Sequence, residues 1–197
     1  HWDYGNGDIG NQGLHQIDVA RWGMGVKYPV KVSAVGGHFM FDDDQETPNV
    51  ITATCEFETG GKKKLLVVDV RHWISNKEAD ISLRDRDGNC IGNIFYGSNG
   101  YVAVESNGAY RSFIGREQKP GPSMRAGGNL WENFIQAVRS RRWEDLYAPI
   151  DEGAISTTIV HLANISYRLG RTVYFDAEAY KCKGDDEANR MFTRKYR

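Results

Sequence analysis

The residue types best suited to chemistry stand early, in "GNGDIGNQGLHQIDVARW", Gly5 to Trp22. His15 carries an imidazole that titrates near neutral pH, which suits a general base. On a helix, Asn11 lies one turn before it on the same face, where a carboxamide can orient the ring but lends it no charge. Asp8, Asn11, His15, Asp18 and Trp22 recur at steps of three and four, a polar stripe along an otherwise apolar element. The stripe has two readings: a proton-transfer face, or a hydrogen-bonded histidine on a solvated helix side.

Other chemistries fit less well. Gly5, Gly7 and Gly10 match the G-x-G-x-x-G spacing of a dinucleotide-binding turn. That turn works only between a buried strand and a helix, with an acid about 20 residues further on. No strand core precedes Gly5, "YPVKV" stands where the acid belongs, and Asp8 would aim a negative charge at the pyrophosphate. "GNGDIG" therefore reads as the entry of a helix, with Asp8 as its N-cap. "DDDQETPN" (Asp42 to Asn49) is rich in acids but lacks the alternating ligands and central glycine of a calcium loop, and reads as a solvated hairpin loop. His1, Asp3 and His15 have no spacing that would fix a metal. His38, His72 and His161 read as structural histidines. Trp73 and Trp131 suit packing or an interface better than a sugar platform. The "NIS" sequon at Asn164 falls inside an expected helix, the wrong context for glycosylation. Cys55, Cys90 and Cys182 form no C-x-x-C pair, so neither a disulfide framework nor a cysteine zinc site is expected. No G-x-S-x-G nucleophile motif is present.

The elements that position these residues follow from periodicity. Ile9 to Met24 has helical spacing, with Ile9, Gly13, Ile17, Ala20 and Met24 on the core side and Gly23 and Gly25 as the stop. Strands are expected at Val30 to Phe41, Val50 to Glu58 and Lys63 to Ile74, the last two joined at Gly60-Gly61. "ADISLRD" and "CIGNIFY" flank the turn "RDGN", and "YVAVES" and "AYRSFIG" flank Asn107-Gly108. After "KPGPS" the pattern turns helical, over Asn129 to Arg142 and Ile150 to Arg171, with Gly170 as a C-cap. "TVYF" is a short strand and "GDDEANRMF" holds a last short helix. The class is α+β: one large, mostly antiparallel sheet with helices packed on one face. The uncovered face calls for a partner, most simply another copy.

The 197 residues suit a single domain, 1–197, large enough to bury a core without disulfides. The formal charge is −1, which gives no electrostatic case for nucleic acid or a membrane surface. Arg139 to Arg142 and Arg190 to Arg197 read as solvated helix ends. No apolar run approaches the roughly 20 residues of a membrane helix, and no signal-peptide pattern is present. The chain opens on "HWDY" without an initiator Met and reads as a piece of something longer, which leaves cytoplasm and periplasm both open.

The segment from Gly5 to Asp18 resembles the start of the C-terminal domain of Gfo/Idh/MocA-type oxidoreductases, where the pattern is G-G-G-x-x-x-D-x-G-x-H-x-x-D. Gly5, Gly7, Gly13, His15 and Asp18 match it. "NFIQAVRSRR", "HLANISYRLGR", "GDDEANRMFTRKYR" and "DDDQETPN" resemble the bacterial branch of that family, so the likeness runs from about Gly5 to Arg197. The resemblance implies the substrate-facing, oligomer-forming domain of an NAD(P)-dependent oxidoreductase of sugars or polyols. His15 is then the base, with Asn11 beside it. Asp8, Gln12, Asp18 and Trp22 are expected near the substrate. Two departures stand out. The family's aspartate, four residues before the histidine, is Asn11 here, and Asn can neither accept a proton nor raise an imidazole pKa by charge. The N-terminal Rossmann domain, with its G-x-G-x-x-G and Glu-Lys-Pro motifs, is absent from the chain. NAD or NADP is therefore expected on the full-length parent and not on this fragment, which should be inactive alone. Two alternatives follow: an NAD-dependent glycosidase of the same superfamily, or a non-catalytic oligomerisation module.

Overall fold

The computed structural model describes residues 1–72, 91–105, 108–125 and 127–193, and these divide into two compact units. The first comprises residues 1–73 and 154–197, the second residues 74–153. The expected turn at "RDGN", the strand "ADISLRD", and the residues Trp73, Cys90 and Asn107 lie outside the described residues.

In the first unit, β1 (Lys31–Gly37), β2 (Val50–Thr59), β3 (Lys62–Arg71), β8 (Val173–Asp176) and β9 (Lys181–Cys182) form one sheet in the order β3-β2-β1-β8-β9. All its pairings are antiparallel. The alternation of β2 fixes its orientation: Ile51, Ala53, Cys55 and Phe57 are fully buried, while Val50, Thr52, Thr54 and Glu56 point to the other face. Gly60 and Gly61, both at positive φ, make the tight turn into β3. Helices α1 (Gln12–Met24) and α3 (Ile150–Leu169) supply the rest of the core, through Ile17 and Ala20 and through Ile159, Val160, Leu162 and Ala163. Gly170 closes α3 at positive φ, as expected. A short helix α4 (Asp186–Arg190) follows β9, capped by Asp185, whose side chain accepts from the Ala188 amide.

The opposite face of this sheet is open among the described residues. Val35, Leu65 and Val67 are 72%, 63% and 56% exposed on it. Charged pairs frame them: Lys63 donates to Glu56 at 2.9 Å, and Thr52 donates to Asp69, which also pairs with Arg71 at 2.7 Å.

In the second unit, β4 (Gly92–Gly97), β5 (Gly100–Glu105), β6 (Tyr110–Ile114) and β7 (Lys119–Met124) form a second antiparallel sheet in sequence order. Helix α2 (Leu130–Ser140) follows, capped by Asn129, whose Oδ1 accepts from the amides of Trp131 and Glu132.

The α+β class and the antiparallel pairing are as expected, but the strands divide between two sheets rather than forming one. No element is expected over "KPGPS", but β7 runs through it. The segment is an edge strand, the one place in a sheet where Pro120 and Pro122 can stand, because their missing N–H groups need no ladder partner. β9 is too short to show a period. β1 stops at Gly37 rather than Phe41, because residues 38–49 form a loop held by Asn49. That side chain, 1% exposed, accepts from the Phe39 amide and donates to the Phe39 carbonyl, each at 2.9 Å.

Candidate functional site

The helix that carries His15 does not begin where its periodicity suggests. Asp8–Gly10 forms a separate 3₁₀ turn, Asn11 sits at φ −97° and ψ −98° between turn and helix, and α1 proper starts at Gln12. Asp8 is therefore not an N-cap, and no side chain caps either element. Gly7, just before the turn, has φ 72°, and a Cβ there would lie 2.9 Å from Cβ of Thr47 in the 38–49 loop.

The expected site residues separate into three environments. Gln12, Asn11, His15 and Trp22 are exposed on the outer side of the turn and helix, Trp22 at 83%. Asn11 and His15 are brought to the same end of α1, but no hydrogen bond joins them among the described residues. Asp18 turns inward. Its Oδ1 accepts from Ser156 Oγ at 2.5 Å, and Arg21, 4% exposed, donates from Nε to the same Ser156 oxygen at 3.0 Å. Asp8 faces the end of β3, where its Oδ2 lies 2.9 Å from His72 Nδ1. The approach is off the line of a ring N–H, so Oδ2 gains a charge contact when His72 is protonated but no aligned hydrogen bond.

The acidic loop is a built structure and not a free tether. Gln45 donates to the Thr47 carbonyl and hydroxyl, Asp43 accepts from the Gln45 amide, and Glu46 accepts from the Trp2 amide at 2.8 Å. No group of three or more His, Cys, Asp or Glu side chains arranged to hold a metal occurs among the described residues.

The periodicity gave no hint of a cavity of about 930 Å³ in the first unit. Its lining includes Asn6, His161, Asn164, Arg168, Tyr180 and Arg190. His161 was expected to be structural. Its ring lines this cavity, and the packing around it lowers its pKa by desolvation. Steps of three and four along α3 place His161, Asn164 and Arg168 on one side, a signal the sequence does contain. Thr158 donates to the Ala154 carbonyl at 2.8 Å, so the Tyr180 phenol donates to Thr158 at 2.7 Å. Burial pushes the Cys55 thiol up to about 12 and that of Cys182 up to about 11, which leaves both as inert thiols.

Residues 110–197 match the family model described as "Oxidoreductase family, C-terminal alpha/beta domain", GFO_IDH_MocA_C2. Over these 88 of the 197 residues the chain is similar to the C-terminal domain of the Gfo/Idh/MocA oxidoreductases. No curated protein matches the sequence. Among solved structures, a putative oxidoreductase from Thermotoga maritima is similar at 17% identity and TM-score 0.58, over 83% of this chain and 45% of that one. The WlbA dehydrogenase from Bordetella pertussis, in complex with NADH and UDP-GlcNAcA, is similar at 16% identity and TM-score 0.57, over 89% and 47%. The UDP-N-acetylglucosamine 3-dehydrogenase GnnA from Acidithiobacillus ferrooxidans is similar at 14% identity and TM-score 0.53, over 79% and 45%. At these identities the likeness is one of fold. The chain spans about half the length of each of these structures. No helix among the described residues is long and apolar enough to cross a membrane.

Proposed function

We propose that this chain is the substrate-facing half of an NAD(P)-dependent oxidoreductase acting on a sugar or polyol, with His15 as its base. The observation that carries the reading is the placement of His15. Its side chain is exposed on the outer side of α1, while Ile17 and Ala20 of the same helix are sealed into the core. A rigid helix thus presents an imidazole outward. Such a group can take the proton of a substrate hydroxyl while the carbon beneath it loses hydride. Asn11, Gln12 and Trp22 are the exposed neighbours available to touch substrate.

Within "GNGDIG", Asp8–Gly10 is a 3₁₀ turn and Gly7 packs on Thr47, an arrangement unlike the turn that cradles a pyrophosphate. The reading therefore places the nicotinamide cofactor on protein outside these 197 residues, and the chain alone is inactive. Two dehydrogenases of related fold carry sugar nucleotides in their names or complexes, which supports the substrate class. The open sheet face, with Val35, Leu65 and Val67 exposed, supports self-association as the second role of the domain.

The test is cofactor reduction by the longer protein that contains this chain, with NAD or NADP and a panel of sugars and sugar nucleotides. His15→Ala lowers kcat by about 100-fold or more if the histidine is the base. Unchanged turnover in that variant removes His15 from the mechanism. A longer protein that binds no nicotinamide cofactor removes the reading altogether.

A further inference from the structure

We propose that the cavity of the first unit is a binding site for a small hydroxylated organic anion, of the sugar-phosphate or hydroxycarboxylate class. The volume, about 930 Å³, lies within the range of roughly 300–1,000 Å³ common to small-molecule sites. Four separated pieces of chain build the walls: the N-terminal segment, α3, the turn at Tyr180, and the segment around Arg190. Asn11 and His15 do not line it.

The charge of the lining sets the ligand class. Arg168 and Arg190 bring two guanidinium groups, and Asp3 is the one carboxylate among the described lining residues. Neither guanidinium makes an ion pair with a carboxylate among the described residues. Arg168 lies over the Trp2 ring, with its Cζ 4.8 Å from the ring centre, a contact that engages a face of the guanidinium rather than a carboxylate. A planar, pre-placed guanidinium is suited to the two oxygens of a phosphate or carboxylate. α4, which carries Arg190, is tied to β9 by the Asn189 side chain, which accepts from the Cys182 amide at 2.7 Å and donates to its carbonyl at 2.9 Å.

The polar wall sets the second requirement. The Tyr180 oxygen, whose proton is committed to Thr158, is an acceptor for a ligand hydroxyl. Asn164, 5% exposed, donates from Nδ2 to the Asn6 carbonyl at 2.8 Å and so ties the N-terminal wall to α3. Trp2 and Phe192 supply the apolar surface against which a ring can lie.

The experiment is calorimetric titration of the 197-residue chain with three probes: glucose 6-phosphate, inorganic phosphate and glucose. Nuclear magnetic resonance mapping runs in parallel on the labelled chain. Glucose 6-phosphate is expected to bind more tightly than inorganic phosphate, with glucose weakest, and to shift the signals of His161 and Asn164. Citrate in a fourth arm separates the hydroxycarboxylate source from the phosphate source. Arg190→Gln, which leaves the Trp2 stack intact, is expected to weaken binding about tenfold or more, and Arg168→Gln similarly. Circular dichroism checks that each variant folds. Failure of both glucose 6-phosphate and citrate to bind at millimolar concentration overturns the proposal. So does affinity unchanged in folded Arg190→Gln, or glucose binding as tightly as its phosphate. Because no nicotinamide cofactor is used, these outcomes are independent of the role of His15.

Discussion

Ser156 donates a 2.5 Å hydrogen bond to Asp18, and the two residues stand 138 positions apart in the chain. The same Ser156 oxygen accepts from Arg21 Nε, and Arg21 also donates to the Val26 carbonyl at 3.2 Å. A buried guanidinium thus receives its partners from a serine on α3 and a carboxylate on its own helix. This link engages Asp18 through Oδ1. Ser156→Ala removes both bonds at once, one of them to a buried guanidinium. It is expected to lower unfolding stability by about 2–4 kcal/mol, read by chemical denaturation. A change under a few tenths of a kcal/mol would mean that the tie is incidental.

The helix around His15, the hairpin at Gly60-Gly61, β2, and the limits of α2 and α3 were legible because local pattern alone dictates them. Alternation buried Ile51, Ala53, Cys55 and Phe57 as written. The family likeness was legible through "NFIQAVRSRR", "HLANISYRLGR" and "GDDEANRMFTRKYR", which fall within the matched residues 110–197. What escaped depends on distant partners. Asn11 sits at φ −97° and ψ −98° and separates a 3₁₀ turn from α1, a break that no periodicity encodes. Ser156, 138 positions away, takes Asp18 as its acceptor, a pairing that local pattern cannot show. β7 was hidden because two prolines suppress a strand reading, although an edge tolerates them. The cavity at Arg168 and Arg190 is composed from both ends of the chain, and its polar side of α3 was hidden within a largely apolar helix.

Asn49 anchors the 38–49 loop with two side-chain bonds to the backbone of Phe39. Asn49→Ala cannot replace either. The expected result is a loss of about 1–3 kcal/mol and faster hydrogen exchange at the Phe39 amide. Exchange unchanged from the parent chain would show that the loop is held by something else.

Arg171 spans the last elements, donating from Nε and Nη2 to Asp185 at 3.1 and 2.9 Å and from Nη2 to Glu187 at 2.7 Å. The Arg171 hydrogen bonds, together with the Ala188 amide, hold the Asp185 carboxyl below its usual range. A depressed folded pKa contributes stability above the unfolded value near 4, and that contribution is lost as pH falls through the folded value. Titration of Asp185 by nuclear magnetic resonance should give a midpoint below the ordinary carboxylate value. Arg171→Gln should move the midpoint upward. An unmoved midpoint would assign the shift to the helix cap.

His161 titrates in the opposite sense. Desolvation lowers its pKa, so the unfolded chain takes up this proton before the folded one. The two states bind equally above the ordinary histidine value near 6.5, and stability declines as pH falls from there toward the lowered folded value. His161→Gln removes that slope. Denaturation curves for both proteins at neutral and mildly acid pH check it, and parallel losses in the two would assign the slope to another group.

The exposed face of the first sheet offers the last prediction. Val67 stands opposite Thr54 on β2, and Leu65 stands opposite Glu56, in a face whose apolar side chains are framed by charge. A monomer has no use for three large aliphatic side chains, Val35, Leu65 and Val67, at 72%, 63% and 56% exposure on one sheet surface. Light scattering after size-exclusion chromatography should find the chain self-associated at micromolar concentration. Val67→Lys puts an unpaired ammonium into the face without touching the core, so it should produce monomers whose unfolding is otherwise intact. Thermal unfolding that becomes independent of concentration in this variant accompanies the change. Monomeric behaviour of the parent chain at every concentration would sink the assignment, because the apolar face would then be stable in water uncovered.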